Sequence, residues 1–392
     1  MSGKDVKEMT MGELWQEGSD IGDSSNYDRQ IEVCTQILAL DPENVLVFNN
    51  RGNAYKNSKN YEKAIEDYNQ AIKLKPEYAD AFNNRGNAYN NSKNYKKAIE
   101  DYNQAIKLKP EYADAFNNRG NAYNNSKNHE KAIEDYNQAI KLKPDYADTF
   151  YNRGNAYSDL KNYEKAIKDY TQAIELKPDY ARFFNNRGTA HNNLKNHKKA
   201  IEDYSQAITL EPKDADVFYN RGTTHDELKN HEKAIKDYTQ AIKFKSDYAD
   251  AFYNRGITYR DLDEEEKAIE DFKKAQKLDP SIIANEQIKA MEKEFEEKIR
   301  QTQEENKKVQ GFQEILEVLE KSHKKDEDTW FKRSKWAVGA TLGLILLALA
   351  LVACKVLESG DTYIIYFFSS IVTFAVIRQY TDAKALRIEA SN

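Results

Sequence analysis

Six histidines, two cysteines and one dense run of carboxylates are the side chains in this 392-residue chain whose types could support catalysis or metal binding. His129, His191, His197, His225 and His231 each stand where an equivalent stretch elsewhere in the chain has tyrosine, which points to packing rather than proton transfer or metal ligation. His323 lies in a charged stretch and is expected to be solvated. Cys34 and Cys354 are far apart, and neither has a cysteine or histidine companion at a metal-ligand spacing, so a disulfide framework and a zinc knuckle are both excluded. Asp261, Asp263, Glu264, Glu265 and Glu266 could attract a cation, but they lack the glycine-turn spacing of a calcium loop. With no phosphate-cradling glycine loop and no nucleophile elbow, the reading is of a protein without catalytic residues, metal or cofactor.

The chemistry that does recur is structural. Arg-Gly returns every 34 residues, with glycines at Gly52, Gly86, Gly120, Gly154, Gly188, Gly222 and Gly256. A phenylalanine stands four residues before each glycine, from Phe48 to Phe252, and a tyrosine three after it, except at His191 and His225. Later in each unit come Ala64, Tyr68, Ala71 and Pro76 or their equivalents, down to Ala268, Phe272, Ala275 and Pro280; Ser246 replaces one proline. From Phe82 to Tyr89, small and apolar residues recur at helical spacing. A polar turn follows at residues 91–94, then a second stripe through Ala98, Ile99, Tyr102, Ala105, Ile106 and Leu108. Each unit therefore reads as a helix hairpin. A glycine inside a helix costs about 1 kcal/mol against alanine, so its return implies close helix approach, with Phe82 and Tyr102 filling the remaining gaps. The arginine before each glycine is matched by an aspartate on the second helix, as in Arg119 and Asp135, and an ion pair between the two helices is expected.

This pattern of aromatic, glycine, tyrosine, alanine, aromatic, alanine and proline resembles the tetratricopeptide repeat (TPR) family over seven units, residues 45–282, with arginine where the family usually has leucine. Residues 1–44 are acidic, and residues 11–44 read as a worn eighth unit that caps the array. The resemblance implies an all-α solenoid of helix hairpins, a right-handed superhelix whose concave groove holds an extended peptide or a partner helix. The matching groove positions are Asn49, Asn53, Asn83, Asn87, Asn117, Asn121, Tyr151, Asn155, Asn185, Thr189, Tyr219, Thr223 and Tyr253. Asparagine offers donors and an acceptor to a peptide backbone, and tyrosine adds rigid contact area; solvated groove residues copied by duplication are the alternative. The lysines with which the chaperone-tail branch grips a carboxylate are missing. Asp80, Asp114, Asp148, Asp216 and Asp250 stand near the lip instead, with Arg182 the exception, either repelling an acidic tail or simply complementing the helix dipole.

After Pro280 the composition turns to charge-rich helix, residues 283–330. Its Ile288, Met291, Phe295, Val309, Phe312, Leu316 and Leu319 fit a heptad frame interrupted by Lys298, Thr302 and Glu305, so it is either a coiled-coil-like connector or an amphipathic spacer. Residues 336–354 carry no charge over a length that crosses a hydrocarbon core, and 362–377 form a second, shorter uncharged run. Basic residues Lys332, Arg333 and Lys335 before the first, and Arg378, Lys384 and Arg387 after the second, place both ends in the cytosol. Residues 331–392 are thus expected to form a transmembrane hairpin with a short cytosolic tail. No charged-then-apolar leader opens the chain, so the repeats are expected to face the cytoplasm.

With 59 basic and 65 acidic residues the net charge is only -6, which argues against a protein built to coat nucleic acid. The sequence predicts a membrane-anchored adaptor that recruits a protein or peptide partner by its groove. The alternative is a self-assembling structural protein whose array or connector forms homo-oligomers.

Overall fold

A computed structural model describes residues 6–20 and 26–330, and among them there are seventeen α-helices, one short 3-10 turn at Val6–Glu8 and no strand. The helices run α1 (Met11–Asp20), α2 (Tyr27–Leu40), α3 (Val45–Asn57), α4 (Tyr61–Leu74), α5 (Ala79–Asn91), α6 (Tyr95–Leu108), α7 (Ala113–Asn125), α8 (His129–Leu142) and α9 (Ala147–Asp159). They continue with α10 (Tyr163–Leu176), α11 (Ala181–Asn193), α12 (His197–Leu210), α13 (Ala215–Glu227), α14 (His231–Phe244), α15 (Ala249–Arg260), α16 (Glu265–Leu278) and α17 (Asn285–Trp330). The chain divides into two compact units, 1–296 and 297–392.

Helices α3 to α16 form seven consecutive hairpins, each packed on the next. Both helices of a hairpin start earlier than their apolar stripes. At α4, α6, α8 and α10 the reason is local: the side chains of Asn60, Asn94, Asn128 and Asn162 accept the backbone N–H three residues on and so cap the helix at its first turn. The second helix stops before its proline: α6 ends at Leu108, and Pro110 cannot continue it.

The core of each hairpin is one tyrosine against one glycine. The ring of Tyr102 is fully buried, and a Cβ on Gly86 would stand 2.7 Å from its Cε1. The same contact recurs through Gly52, Gly120, Gly154, Gly188, Gly222 and Gly256, where the facing ring in the last hairpin is Phe272. Glycine at this register is therefore set by the thickness of an aromatic ring between two helices, as its spacing predicts.

The turn inside each hairpin closes by a Schellman bond, for example from the N–H of Asn94 to the carbonyl of Tyr89 at 2.8 Å. Its penultimate residue lies in the left-handed region, and that residue is lysine in six hairpins: Lys59, Lys93, Lys127, Lys161, Lys195 and Lys229, with φ between 57° and 65°, and Asp263 in the seventh. Glycine is the residue that adopts this conformation without a Cβ clash. Lys93→Gly is expected to raise stability by about 1 kcal/mol, measured by denaturant unfolding, and Lys93→Val to lower it.

At the N-terminal end, α1 and α2 pack a small core of Val6, Leu14, Val33, Ile37 and Leu38 onto Val47 of α3. At the other end, Ile283 and Ile288 are buried against Ala268, Ile269 and Phe272, with Met291 and Phe295 alongside, so the start of α17 covers the last hairpin. In the second unit, α17 continues to Trp330 with Val309, Phe312, Ile315, Leu316 and Val318 exposed. Among the described residues no helix is long and apolar enough to cross a membrane. The transmembrane hairpin expected at 336–354 and 362–377 lies outside the described residues.

Candidate functional site

The expected ion pair is present in all seven hairpins. In each the arginine Nε and Nη2 donate to the two carboxylate oxygens of the aspartate; for Arg119 and Asp135 the distances are 2.7 and 2.6 Å. The same two bonds join Arg51 to Asp67, Arg85 to Asp101, Arg153 to Asp169, Arg187 to Asp203, Arg221 to Asp237 and Arg255 to Asp271. The third guanidinium nitrogen reaches back to the preceding hairpin, as from Arg119 Nη1 to Asn103 Oδ1 at 2.6 Å. One arginine thus ties three helices together. Burial pushes the Asp101 and Asp135 carboxyls above their ordinary range, and the guanidinium beside each pulls them back.

The groove candidates occupy the fifth and ninth residues of the first helices. Asn49, Asn83 and Asn117, at the fifth position, are buried. Their Oδ1 atoms accept from Asn84, Asn118 and Asn152, the sixth residue of the next first helix, at 3.0, 3.0 and 3.1 Å. Asn220 donates likewise to Asn185, and where the fifth residue is tyrosine its hydroxyl takes over: Asn186 donates to Tyr151 Oη and Asn254 to Tyr219 Oη. The result is a ladder of amide bonds running from hairpin to hairpin. The sequence reading missed its donors, although an asparagine at the sixth position of all seven first helices was the available signal.

At the ninth position, Asn53, Asn87, Asn121 and Asn155 each accept the buried tyrosine hydroxyl of their own hairpin, from Tyr68, Tyr102, Tyr136 and Tyr170, at 2.8 Å. Thr189 and Thr223 do so for Tyr204 and Tyr238 at longer distances. In the last hairpin Phe272 has no hydroxyl, and the ninth residue is Ile257. These asparagines are half-buried, and among the described residues their Nδ2 groups donate to nothing. Each ninth-position amide oxygen is thus engaged by a tyrosine hydroxyl, and Asn155 Oδ1 accepts from Asn186 as well, while the Nδ2 side of each amide is the one without a partner among the described residues.

In α9, α13 and α15 the fifth position is aromatic, with Tyr151, Tyr219 and Tyr253. The Tyr151 ring packs 4.9 Å from Phe183 and 5.9 Å from Tyr170, and Tyr219 packs 5.0 Å from Tyr248. Tyr253 stands 5.7 Å from Phe272. Arg182, the exception in the aspartate row, lies over Tyr151, Tyr180 and Phe183 and donates to Asp148 Oδ1 at 2.5 Å. Lys177 bonds the other oxygen of Asp148 at 2.9 Å, so this carboxylate is neutralised within the array. Asp80, Asp114, Asp216 and Asp250 lie in first turns, where the helix dipole favours them. Tyr112, Tyr146 and Tyr248, at the end of the same unit, are pushed above the ordinary phenol range by burial and then by the carboxylates of Asp80, Asp114 and Asp216.

The histidines fall into two sets. His129, His197 and His231 open second helices, with Nδ1 2.7 Å from Asn124 Oδ1, 2.9 Å from Asn192 Oδ1 and 3.0 Å from Asp226 Oδ1. His191 and His225 are buried in the hairpins, as their tyrosine register predicts. No cluster of three potential metal ligands occurs among the described residues. Burial pushes the Cys34 thiol up to about 11, which leaves it protonated and unreactive.

Models of the tetratricopeptide repeat match residues 147–180, 181–214, 249–282 and 33–66, and a TPR repeat model matches 52–93, 86–127, 120–161 and 227–263. Together these cover more than half of the chain. Among solved structures, the chain is similar to the APC/C hetero-tetramer Cut9-Hcn1, at 18% identity and TM-score 0.50, over 71% of this chain and 54% of that one. It is also similar to MamA, at 25% identity and TM-score 0.40, over 41% of this chain and 95% of that one. A third is YrrB, described as a TPR protein with an unusual peptide-binding site, at 24% identity and TM-score 0.42, over 49% and 98%. No curated protein matches the chain.

Proposed function

The chain carries tetratricopeptide repeats, and from that premise we propose that the first-helix face of the array binds an extended protein segment and recruits its owner. Tetratricopeptide repeat proteins are generally protein–protein interaction scaffolds. The observation that carries the reading is the row of half-buried amide groups at Asn53, Asn87, Asn121 and Asn155, whose oxygens are engaged and whose N–H donors have no partner among the described residues. Donors repeated once per hairpin suit the carbonyl oxygens of an extended backbone, which carry no side-chain identity. Tyr151, Tyr219 and Tyr253 then supply aromatic area for apolar side chains of the ligand. Asn49, Asn83, Asn117, Asn185, Thr189 and Thr223 complete the face, and they set its shape by their bonds between and within hairpins. The work of the protein in this reading is binding, without a chemical step.

We further propose that residues 336–354 and 362–377 anchor the array to a membrane as a hairpin with both ends cytosolic. The support is their uncharged length and the basic residues that flank them. The protein is then a membrane-tethered adaptor with its repeats in the cytoplasm. Self-association is the second reading, favoured by the exposed Val309, Phe312 and Leu316 of α17 at heptad spacing.

The test uses a substitution the fold already contains. Asparagine occupies the register of Tyr151, Tyr219 and Tyr253 in α3, α5, α7 and α11, and there it accepts the same ladder bond. Tyr151→Asn/Tyr219→Asn/Tyr253→Asn is expected to keep the helical signal of the parent. It is also expected to weaken the captured partner by roughly tenfold, the effect of losing about 1.4 kcal/mol of aromatic contact. Unchanged affinity in a folded variant would sink the aromatic part of the proposal.

A further inference from the structure

His191 and His225 occupy the same register of successive first helices, α11 and α13, where the other five hairpins carry Tyr55, Tyr89, Tyr123, Tyr157 and Tyr259. Each is only 8% exposed, and their Nδ1 atoms are the buried side-chain polar atoms that lack a hydrogen-bond partner among the described residues. Such a group needs an explanation, because an unpaired buried polar atom costs stability. In the tyrosine hairpins a lysine ammonium lies over the ring, with Lys63, Lys97, Lys131, Lys165 and Lys267 at 5.3–5.6 Å. The lysines of that register beside the two histidines are Lys199 and Lys233. A tyrosine face welcomes that cation, whereas a protonated imidazole is repelled by it.

The remaining charged groups that face the histidines give little compensation. His191 meets Asp203 and Glu202 from α12, with Lys199 also from α12 and Arg187 from its own helix. His225 meets Asp237 and Lys233 from α14 and Arg221 from its own helix. Asp203 and Asp237 are already bonded through both oxygens to Arg187 and Arg221, and His225 Nε2 stays 4.0 Å from Asp237 Oδ2. A proton taken up here would be buried beside two cations and an aspartate that already accepts two guanidinium bonds, with Glu202 the one further carboxylate, beside His191.

We propose that the fifth and sixth hairpins form an acid-labile segment of the array, in which protonation of His191 and His225 loosens α11 to α14 under mildly acidic conditions while the flanking hairpins stay closed. Burial holds both imidazoles below the ordinary histidine range. The folded state therefore binds the proton less readily than the unfolded chain. The stability is complete above the unfolded value of about 6.5 and is lost as the pH falls through the depressed folded values. A repeat array tolerates such a local opening because each hairpin contacts only its neighbours. The same helices carry Asn185, Thr189, Tyr219 and Thr223, so acid release of a ligand would follow, a consequence that rests on the groove reading.

The test reads the array itself. Hydrogen exchange is measured by mass spectrometry on the full chain in detergent solution at pH 7.5 and 5.5, corrected for the intrinsic pH dependence of exchange. Protection in α11–α14 is expected to fall about tenfold relative to α5–α8, the equivalent of about 1.4 kcal/mol. His191→Tyr/His225→Tyr, which restores the residue of the other hairpins, is expected to abolish that difference. Because the environments are not identical, His191→Gln/His225→Gln serves as a second variant that stays neutral throughout. His129→Tyr/His197→Tyr/His231→Tyr should leave the effect intact. Acid loosening spread evenly over all hairpins, absent from the parent, or retained in both neutral double variants would overturn the proposal.

Discussion

Arg119→Ala is expected to destabilise the array by about 3 kcal/mol, the lower end of the range for breaking a buried ion pair, since the arginine side chain keeps some exposure. The cost comes from what stays behind. Asp135 is 6% exposed and loses both of its guanidinium bonds, and Asn103 in the preceding hairpin loses its contact with Arg119 Nη1. The double variant Arg119→Ala/Asp135→Ala is expected to cost less than Arg119→Ala alone, with a coupling energy of about 2 kcal/mol in a full cycle. No coupling would remove the ion pair from the account. The pH dependence gives a second check. Burial already pushes the Asp135 carboxyl upward, and Arg119 is what opposes it. Without the arginine the folded carboxyl rises further above its unfolded value. The single variant should therefore recover stability as the pH falls through that raised value and lose it again as the pH rises.

The second large effect concerns Tyr136 and Gly120. Tyr136→Ala is expected to cost about 3–5 kcal/mol, because a fully buried ring is replaced by a cavity and Asn121 loses its hydroxyl donor. Gly120→Ala alone should cost about 1–3 kcal/mol by overpacking, even though alanine favours the helix by about 1 kcal/mol. The added Cβ would meet Tyr136 Cε1 at 2.7 Å, and the ring is held in place by its bond to Asn121. In a Tyr136→Leu background the same Gly120→Ala change is expected to be neutral or stabilising. Unfolding midpoints of the four proteins decide this: equal effects of Gly120→Ala in both backgrounds would show that the ring is not what requires glycine. Since neighbouring hairpins stabilise one another, both substitutions should act more strongly in this central hairpin than at the ends.

Much of this architecture is legible in the sequence because every hairpin repeats its own evidence. The glycine-to-tyrosine contact follows from two residue types returning in fixed phase, and the Arg119–Asp135 pair from a charge on each helix that could not be left buried alone. What resisted reading was the direction of polar side chains. Asn83 and Asn87 look alike in sequence, yet one is buried in the ladder between hairpins and the other receives the Tyr102 hydroxyl. The substitution of Phe272 opposite Ile257 shows that the ninth residue answers to the buried ring as well as to any ligand. The left-handed lysines were illegible for a different reason, since that conformation is expected of glycine or asparagine and Lys93 gives no local hint of it. The missing partners of His191 and His225 are likewise a property of packing alone.

The central claim is that a protein partner lies along the first-helix face, and site-specific photo-crosslinking in the native host tests it most directly. A photoreactive phenylalanine analogue is placed singly at Tyr151, Tyr219 or Tyr253 on that face, and at Glu134, Lys168 or Glu202 on the second helices, with helicity checked for each. The account predicts one common protein crosslinked from all three first-helix positions and not from the second-helix set. Crosslinks to that protein from the second helices alone would contradict it, and crosslinks only to further copies of the chain would transfer the function to self-assembly.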